Sequence, residues 1–241
     1  MRPRRTQRPK RNEPLVSVIL CTYNRAGLVE RAIRSVFRQT YRRWELVLVD
    51  DGSTDGSELF LAQLAKSDRR VVLVSRTNRG LARSRNEGLA LARGKYVAFL
   101  DSDDEYRSSH VRRNVDAMLR RPELDFLLGA PKVVGPKQAQ YVPDLERPGK
   151  RIHISRCHSA GSLFARRSVL LANGGFPLRE FGEDYALIMK LMTSCRWDRV
   201  RISSYVIDCG ASGRMCDIYG RRGARGLRRF RAQNKRTPRG R

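Results

Sequence analysis

The chain has 241 residues, enough for one sizeable buried core, and its 50 basic and 24 acidic residues give a formal net charge of +26. No apolar run reaches the length of about 18 to 20 residues that spans a bilayer, and the first residues lack the apolar stretch of a signal peptide, so we expect a cytoplasmic protein. The five cysteines are widely spaced and include no Cys-x-x-Cys pair, which argues against a disulfide framework and a zinc site.

The excess positive charge is concentrated at the two ends of the chain. Residues 1–12 include six basic and no acidic residues, and residues 212–241 include eleven basic and one acidic residue, so the ends hold +16 of the total +26. Dense like charge and low hydrophobicity oppose core formation, and we expect a disordered basic arm over 1–13 and a basic tail over 212–241. Two interpretations stay open: solvated charge alone, or adhesion to an anionic membrane surface or nucleic-acid phosphate.

Between the ends, four short apolar runs rich in β-branched residues predict strands buried on both faces of a parallel sheet. Segments with helical spacing separate these runs and give a β-α-β-α-β-α-β order. This alternation predicts an α/β fold with three layers, in which ligands bind beyond the carboxyl ends of the strands. The predicted strands are 15–20, 44–50, 70–75 and 96–101, and the predicted helices are 27–39, 57–67 and 81–92.

Polar residues follow each of the four predicted strands. They form the sequences CTYNR, DDGSTDGS, RTNRG and DSDD, in chain order. Asp, Asn, Ser and Gly also form turns and helix caps, and for the small residues of 53–56 we favour that structural role. The carboxylates of Asp101, Asp103 and Asp104 repel one another unless a cation neutralises them, which indicates a Mg²⁺ or Mn²⁺ site.

Five sequence strings, taken in order, resemble the family-2 glycosyltransferases, which are inverting enzymes of the GT-A fold that use nucleotide-activated sugars. The strings are SVILCTYNR, VLVDDGSTDGS, NRGLARSRNEGL, GKYVAFLDSDD and GGFPLREFGEDYAL, and the resemblance covers about residues 15–200. It implies a GT-A domain over 14–211, divided into a nucleotide-sugar half (14–104) and an acceptor half (105–211). It also implies a role in cell-envelope or exopolysaccharide synthesis.

The resemblance implies that the first two loops bind the nucleotide of a UDP- or dTDP-sugar. Thr22, Tyr23 and Asn24 would lie along the nucleotide. Asp51 would accept a hydrogen bond from the imide N–H of the base, and such a charge-assisted bond is about twice as strong as a neutral one. Core packing is the alternative for Tyr23, and a structural capping role is the alternative for Asp50.

The third loop and the helix after it belong to a segment that, in the family, packs beneath the nucleotide and sugar. Asn78 and Arg85 are the candidate donor-binding residues of this segment. Gly80 permits close backbone approach. For Arg85 two positions stay open, one facing the diphosphate and one facing solvent on an arginine-rich helix.

The DSDD sequence resembles the family's DxD motif. The resemblance implies that Asp101 contacts the ribose or the water shell of the metal, and that Asp103 ligates the Mg²⁺ or Mn²⁺ that bridges the donor phosphates. The cation would offset charge on the departing nucleoside diphosphate. Asp104 has a structural alternative, because an acid in the first turn of a helix that starts here would interact favourably with the helix dipole.

Glu183 and Asp184 open a predicted helix with an apolar stripe over 187–191. The resemblance implies that Asp184 is the general base that removes the proton of the acceptor hydroxyl, and that Glu183 orients a saccharide or lipid-linked acceptor. Residues 174–176 would form the turn before this helix. Family members often have a histidine after it, whereas all three histidines here precede Glu183. The sequence after residue 205 matches no part of the family pattern.

Other functions stay open at this point. A nucleic-acid-binding protein with Arg-rich tails on an α/β scaffold is one, although the core has no interleaved aromatic ladder. A sugar nucleotidyltransferase is another, but such enzymes usually have a Gly-rich basic loop after the first strand, whereas CTYNRAGLVE has one glycine. A catalytically idle relative of the glycosyltransferases is the third.

Overall fold

The computed structural model describes residues 13–144, 146–147, 149–179 and 181–211. The N-terminal β/α alternation is confirmed, with each element within two residues of its predicted bounds. Both basic ends lie outside the described residues apart from Glu13, which is ion-paired with Arg112 at 2.6 Å, so the predicted disorder is wrong at that residue. The elements of this half are β1 Val16–Thr22, α1 Ala26–Phe37, β2 Trp44–Asp50, α2 Ser57–Ser67, β3 Val71–Ser75, α3 Leu81–Leu91 and β4 Tyr96–Asp101.

The second half of the chain consists mainly of short strands and three further helices. Its strands are two to four residues long, too short to show a hydrophobic period in the sequence. No described helix is both long and apolar enough to cross a membrane. The elements are β5 Glu105–Tyr106, α4 His110–Arg120, β6 Phe126–Gly129, β7 Lys132–Val134, β8 Tyr141–Pro143, β9 Arg151–His153, β10 Leu163–Arg166, α5 Arg167–Ala172, α6 Glu183–Ser194, β11 Trp197–Val200 and β12 Tyr205–Asp208.

The central sheet has seven strands in the order β11-β6-β10-β4-β1-β2-β3. Strands β4, β1, β2 and β3 are parallel neighbours, and β11 is parallel to β6. Only β10 reverses the direction, since it is antiparallel to both β4 and β6. The sheet is therefore mostly parallel, as predicted. A small sheet, β5-β12-β7, and the β8-β9 pair complete the described strands.

Helices cover both faces of the central sheet. Alternate residues of β1 point to opposite faces, so Val18 and Leu20 join the core beneath α1, α2 and α4, while Ile19 and Cys21 join the core beneath α3, α5 and α6. Helix α1 packs there because its apolar residues recur every three to four positions. The predicted three-layer architecture is confirmed, and the strand ends are left open for a site.

Buried His110 predicts a pH-dependent stability. Its Nδ1 lies 2.8 Å from Ser204 Oγ and its ring stacks on Tyr106 at 3.9 Å. Burial, assisted by the charge of Arg113, lowers the pKa of His110 to about 3. The unfolded chain binds this proton below about pH 6.5 and the folded chain does not, so stability is lost as the pH falls.

We expect the His110 contribution to the free energy of unfolding to be lower by about 2 kcal/mol at pH 5 than at pH 7. Urea unfolding at the two pH values measures the change. The variant His110→Gln keeps a hydrogen-bonding group but cannot be protonated, so its loss between pH 7 and pH 5 should be smaller by that amount. Equal losses in the variant and the wild type would contradict the assignment.

Candidate active site

The carboxyl ends of three neighbouring parallel strands lie side by side. In the register of the sheet, Thr22 at the end of β1 is opposite Asp50 of β2, and Cys21 is opposite Asp101 of β4. The predicted convergence of polar loop residues at this edge is thus confirmed for the loops after β1, β2 and β4. Helix α6 also starts at this edge. Arg85 shows this, since it pairs both with Glu183 at the start of α6 and with Asp101 at the end of β4.

Arg85 is the centre of this site. Its side chain is buried, with Nη1 at 2.6 Å from Glu183 Oε1 and Nη2 at 2.8 Å from Asp101 Oδ1. The ring of Phe176 covers the guanidinium at 5.3 Å. Arg85 lies on the buried face of α3 with Ala82, so the solvent-facing alternative is wrong. One guanidinium therefore connects the DSDD loop to the start of α6.

Two adjacent carboxylates begin α6. Glu183 is buried, whereas Asp184 is partly exposed. Asp184 accepts hydrogen bonds from the backbone N–H of Tyr185 (2.7 Å, Oδ1) and of Ala160 (3.2 Å, Oδ2). Burial raises the pKa of Asp184, and raises that of Glu183 to about 7, although Arg85 opposes both shifts. A carboxylate with a raised pKa is a stronger base at neutral pH.

The turn before α6 is bound to α3. Asn86 brackets the backbone of Phe176, donating from Nδ2 to its carbonyl O and accepting from its N–H at Oδ1, both at 2.7 Å. Gly175 has φ +65°, and a Cβ there would lie 2.4 Å from Asn86 Oδ1. Glycine is therefore needed for this close approach. The predicted turn at 174–176 is confirmed, and it is fixed against α3.

The DSDD loop is held from two directions. Asp104 is buried and accepts hydrogen bonds from Tyr205 Oη (2.7 Å) and from the backbone N–H of Asp208 (3.0 Å). Arg31 donates from Nη2 to the carbonyl O of Asp103 at 2.6 Å. Helix α4 begins only at residue 110, so the helix-dipole interpretation of Asp104 is wrong. Its carboxylate instead binds the DSDD loop to β12.

Asp51 is buried at the junction of the second and third loops. Its two oxygens accept from the backbone N–H groups of Arg79 and Gly80, each at 2.9 Å, and Arg76 Nε lies 3.6 Å away. The loops approach closely because Gly52 has φ +87° and a Cβ there would lie 2.8 Å from the Arg76 carbonyl O. Asp51 is thus pre-oriented by two backbone donors.

The first loop contains both exposed and structural residues. Tyr23 is 48% exposed, so the core-packing alternative is wrong. Asn24 has φ +51°, and its side chain accepts from the backbone N–H of Thr54 at 2.8 Å, which fixes the loop against its neighbour. Thr22 Oγ1 is buried without a hydrogen-bond partner among the described residues. An orphan hydroxyl beside the strand ends is suited to a ligand contact.

Two further candidates differ in their surroundings. Asp50 Oδ1 accepts from the backbone N–H of Ser53 at 3.1 Å, which favours its structural alternative. Asn78 is exposed at the rim of the same edge. Arg85 thus pairs with a carboxylate at the carboxyl end of β4 and with a carboxylate at the start of α6.

Comparison with known proteins decides the family. Residues 17–171 match the model of glycosyl transferase family 2. The chain belongs to this family. One curated relative is TuaG of Bacillus subtilis (strain 168), which is provisionally named a teichuronic acid biosynthesis glycosyltransferase. It is 42% identical over 110 residues, which cover 45% of this chain and 44% of TuaG. Escherichia coli WfgD, named a UDP-Glc:alpha-D-GlcNAc-diphosphoundecaprenol beta-1,3-glucosyltransferase, is 34% identical over 121 residues, covering 50% and 47%. The chain thus spans under half the length of these relatives.

Solved structures show the fold. TarS 1–349 of S. aureus, solved in complex with UDP-GlcNAc, is 25% identical with a TM-score of 0.67, covering 84% of this chain and 60% of that one. The mannosyltransferase PcManGT of Pyrobaculum calidifontis, in complex with GDP-Man and Mn²⁺, is 23% identical with a TM-score of 0.69, covering 100% and 69%. The family-2 chain has the GT-A fold, as the sequence predicted.

The DSDD residues of this family-2 chain fit a divalent cation as a partial ligand set. Their donors are carboxylate oxygens, which Mg²⁺ and Mn²⁺ prefer. Burial raises the pKa of Asp104 most, and the negative charges of Asp101 and Asp103 raise it further. The loop therefore holds negative charge that a cation would compensate. Within the described ranges, no group of three or more His, Cys, Asp or Glu side chains is arranged to hold a metal ion.

Sequence analysis missed Tyr205, Ala160 and Asn86. Tyr205 follows α6 in a region that matches no family pattern, and nothing local in the sequence distinguishes it. Ala160 contributes only a backbone N–H, which any residue except proline provides. Asn86 follows Arg85 in the string NRGLARSRNEGL, so the resemblance contained the signal for it.

Proposed function

We propose that the chain transfers a sugar from a UDP- or dTDP-sugar to a hydroxyl of a saccharide or lipid-linked acceptor, with inversion, in the synthesis of cell-envelope or extracellular polysaccharide. The single observation that supports this best is Arg85, which is paired with Asp101 of the DSDD loop and with Glu183 at the start of α6. The pairing assembles the donor motif and the base motif of the family in one site. The names of TuaG and WfgD support the polysaccharide setting.

Asp184 is the proposed general base. Its carboxylate takes the proton of the acceptor hydroxyl while that oxygen forms a bond to the anomeric carbon. The bond from the anomeric carbon to the phosphate oxygen breaks in the same displacement, and the nucleoside diphosphate leaves with the electron pair. Hydrogen bonds from the N–H groups of Ala160 and Tyr185 orient the carboxylate, and attack from the opposite face inverts the centre.

The donor nucleotide is proposed to lie along the first three loops. Thr22 offers its orphan hydroxyl and Tyr23 its exposed ring. Asp51 accepts the imide N–H of the base, with Asn78 at the rim. Asn24 supports this site through the loop backbone and not by direct contact, because its side chain is bound to Thr54.

The diphosphate end of the donor is proposed to lie at the DSDD loop, beside the positive charge of Arg85. Asp103 and Asp101 would hold Mg²⁺ or Mn²⁺ there. When bound, the cation would neutralise charge on the leaving diphosphate. Glu183, which is ion-paired with Arg85 and precedes Asp184 in α6, is the proposed residue that orients the acceptor.

The first test is the variant Asp103→Ala. We expect it to lose Mn²⁺-dependent binding of UDP in titration calorimetry while its melting temperature stays near that of the wild type, because the proposed role of this carboxylate is to serve the ion. The matched control Asp116→Ala removes an acid of α4 whose charge acts on Tyr41, beside the amino ends of β1 and β2, and should bind UDP as the wild type does. Unchanged affinity and metal dependence in Asp103→Ala would place the ion elsewhere.

We also propose that the basic ends dock the protein on the cytoplasmic face of a membrane. Each Lys or Arg near an anionic leaflet contributes about 1 kcal/mol, so a few engaged together suffice. Deleting residues 1–12 and 221–241 should release the protein from anionic vesicles in a flotation assay and leave donor hydrolysis unchanged. Full-length protein that ignores such vesicles but retards duplex DNA at physiological salt would instead favour nucleic-acid binding.

A further inference from the structure

We propose that Tyr205 is a positioning residue that holds the DSDD loop and the Asp184 carboxylate in one arrangement. The role rests on the proposed transferase function. Tyr205 is the first residue of β12, beyond the 17–171 region that matches the family model. Neither that match nor the sequence resemblance assigns it a role.

The hydroxyl of Tyr205 contacts both ends of the DSDD loop. Its Oη donates to Asp104 Oδ2 at 2.7 Å and accepts from the backbone N–H of Asp101 at 3.3 Å. Asp101 Oδ2 lies 3.4 Å from the same oxygen. Only 2% of Tyr205 is exposed, so water does not compete for these contacts. A single buried hydroxyl thus joins the side chain of Asp104 to the backbone of Asp101, in addition to the backbone hydrogen bond from the Asp104 N–H to the Asp101 carbonyl O at 3.1 Å.

The ring of Tyr205 contacts the turn that holds Asp184. Gly161 lies so close to the ring that a Cβ on this residue would be 2.2 Å from Tyr205 Cζ. The residue before it, Ala160, donates its N–H to Asp184 Oδ2 at 3.2 Å. The ring therefore supports the backbone that orients the proposed base, while the hydroxyl of the same residue supports the proposed metal-binding loop.

Strand β12 is itself anchored, so Tyr205 is a fixed support. Strand β12 pairs with β5 and β7, and in the pairing with β5 Tyr205 is opposite Tyr106. Three residues later, the backbone N–H of Asp208 donates to Asp104 Oδ1 at 3.0 Å, and the Asp208 carboxylate is paired with Arg31 at 2.6 Å. Asp104 is thus bound by two groups of one strand.

The variant Tyr205→Phe tests the role of the hydroxyl. It keeps the ring against Gly161 but removes the contacts to the loop, so we expect the affinity for Mn²⁺ in the presence of UDP to fall 10- to 100-fold, the usual effect of losing a group that orients metal ligands. The KM for the donor should rise, while kcat stays close to the wild-type value because Ala160 and Asp184 are undisturbed.

Tyr106→Phe is the matched control. Its hydroxyl is equally buried and donates to the Phe99 carbonyl O at 2.7 Å, and its ring lies 5.7 Å from that of Tyr205. It makes no hydrogen bond to the DSDD carboxylates. Both variants should lose similar stability in urea unfolding, but Tyr106→Phe should keep the wild-type affinity for Mn²⁺ and UDP.

Two outcomes separate this role from the proposed function. Equal affinities of Tyr205→Phe, Tyr106→Phe and the wild type for Mn²⁺ with UDP would overturn the role of Tyr205 and leave the transferase function standing. A wild-type protein that binds neither UDP nor dTDP with Mn²⁺ would overturn the transferase function, and the role of Tyr205 would fall with it.

Discussion

Asp184→Asn should bind the donor with wild-type affinity and transfer sugar about 10² to 10⁴ times more slowly, the usual contribution of general acid–base catalysis. The amide keeps the shape of the carboxylate, although its one oxygen can accept from only one of the backbone N–H groups of Ala160 and Tyr185, and it cannot take up the proton of the acceptor hydroxyl. Calorimetry with UDP and a transfer assay with a sugar nucleotide measure the two properties separately.

The matched control is Asp116→Asn, which removes a carboxylate charge from α4 and should transfer sugar at the wild-type rate. Product stereochemistry is an independent check. A single displacement with Asp184 as base converts an α-linked donor into a β-linked product. Retention of configuration, or a fully active Asp184→Asn enzyme, would mean that this carboxylate serves only the start of α6.

Arg85→Gln should destabilise the fold by about 3 to 5 kcal/mol and abolish transfer. The change leaves Glu183 buried without its ionic partner, and an uncompensated buried charge has a cost of this size. The contact with Asp101 adds less, because that side chain is 35% exposed and is screened by solvent. Urea unfolding measures the loss of stability.

A double variant separates stability from function at Arg85. Replacing the pair by apolar residues, Arg85→Met with Glu183→Leu, removes both buried charges and should recover much of the lost stability without recovering transfer. Arg85→Lys is the conservative change, and it should remain impaired because one ammonium cannot make the two-sided contact of a guanidinium. A loss below about 1 kcal/mol in Arg85→Gln would show that Glu183 is not left as an uncompensated charge but takes up a proton when its partner is removed.

Local pattern was sufficient to predict the N-terminal half of the fold. The strand Trp44–Asp50 has five apolar residues among its seven and is bounded by polar loops, and helix α1 repeats apolar residues at helical spacing. The acceptor half was not predictable in this way, because its strands are too short to have a period and pair with partners far away in the sequence. Strand β12, for example, pairs with β5, about 100 residues earlier.

The same limit explains the errors at the site. The acids after Asp101 suggested an immediate helix start, but Glu105 and Tyr106 form a strand instead because β12 is available to pair with them. Such tertiary pairing overrides local preference. Arg85 is a charged residue on the buried face of α3. It is accommodated there because it forms an ion pair with Glu183, a contact that the spacing of residues in α3 does not reveal.

The antiparallel strand β10 has a consequence for which parts of the chain can move relative to one another. It is hydrogen-bonded to β4 of the predicted nucleotide-sugar half through the pairs Phe164–Ala98, Ala165–Val97 and Arg166–Tyr96, and to β6 of the predicted acceptor half on its other side. A hinge between the halves would have to tear this continuous sheet. If the proposed function holds, substrates would therefore be admitted by the loops beyond the strand ends, and loops generally move in nanoseconds to microseconds, faster than whole domains rotate.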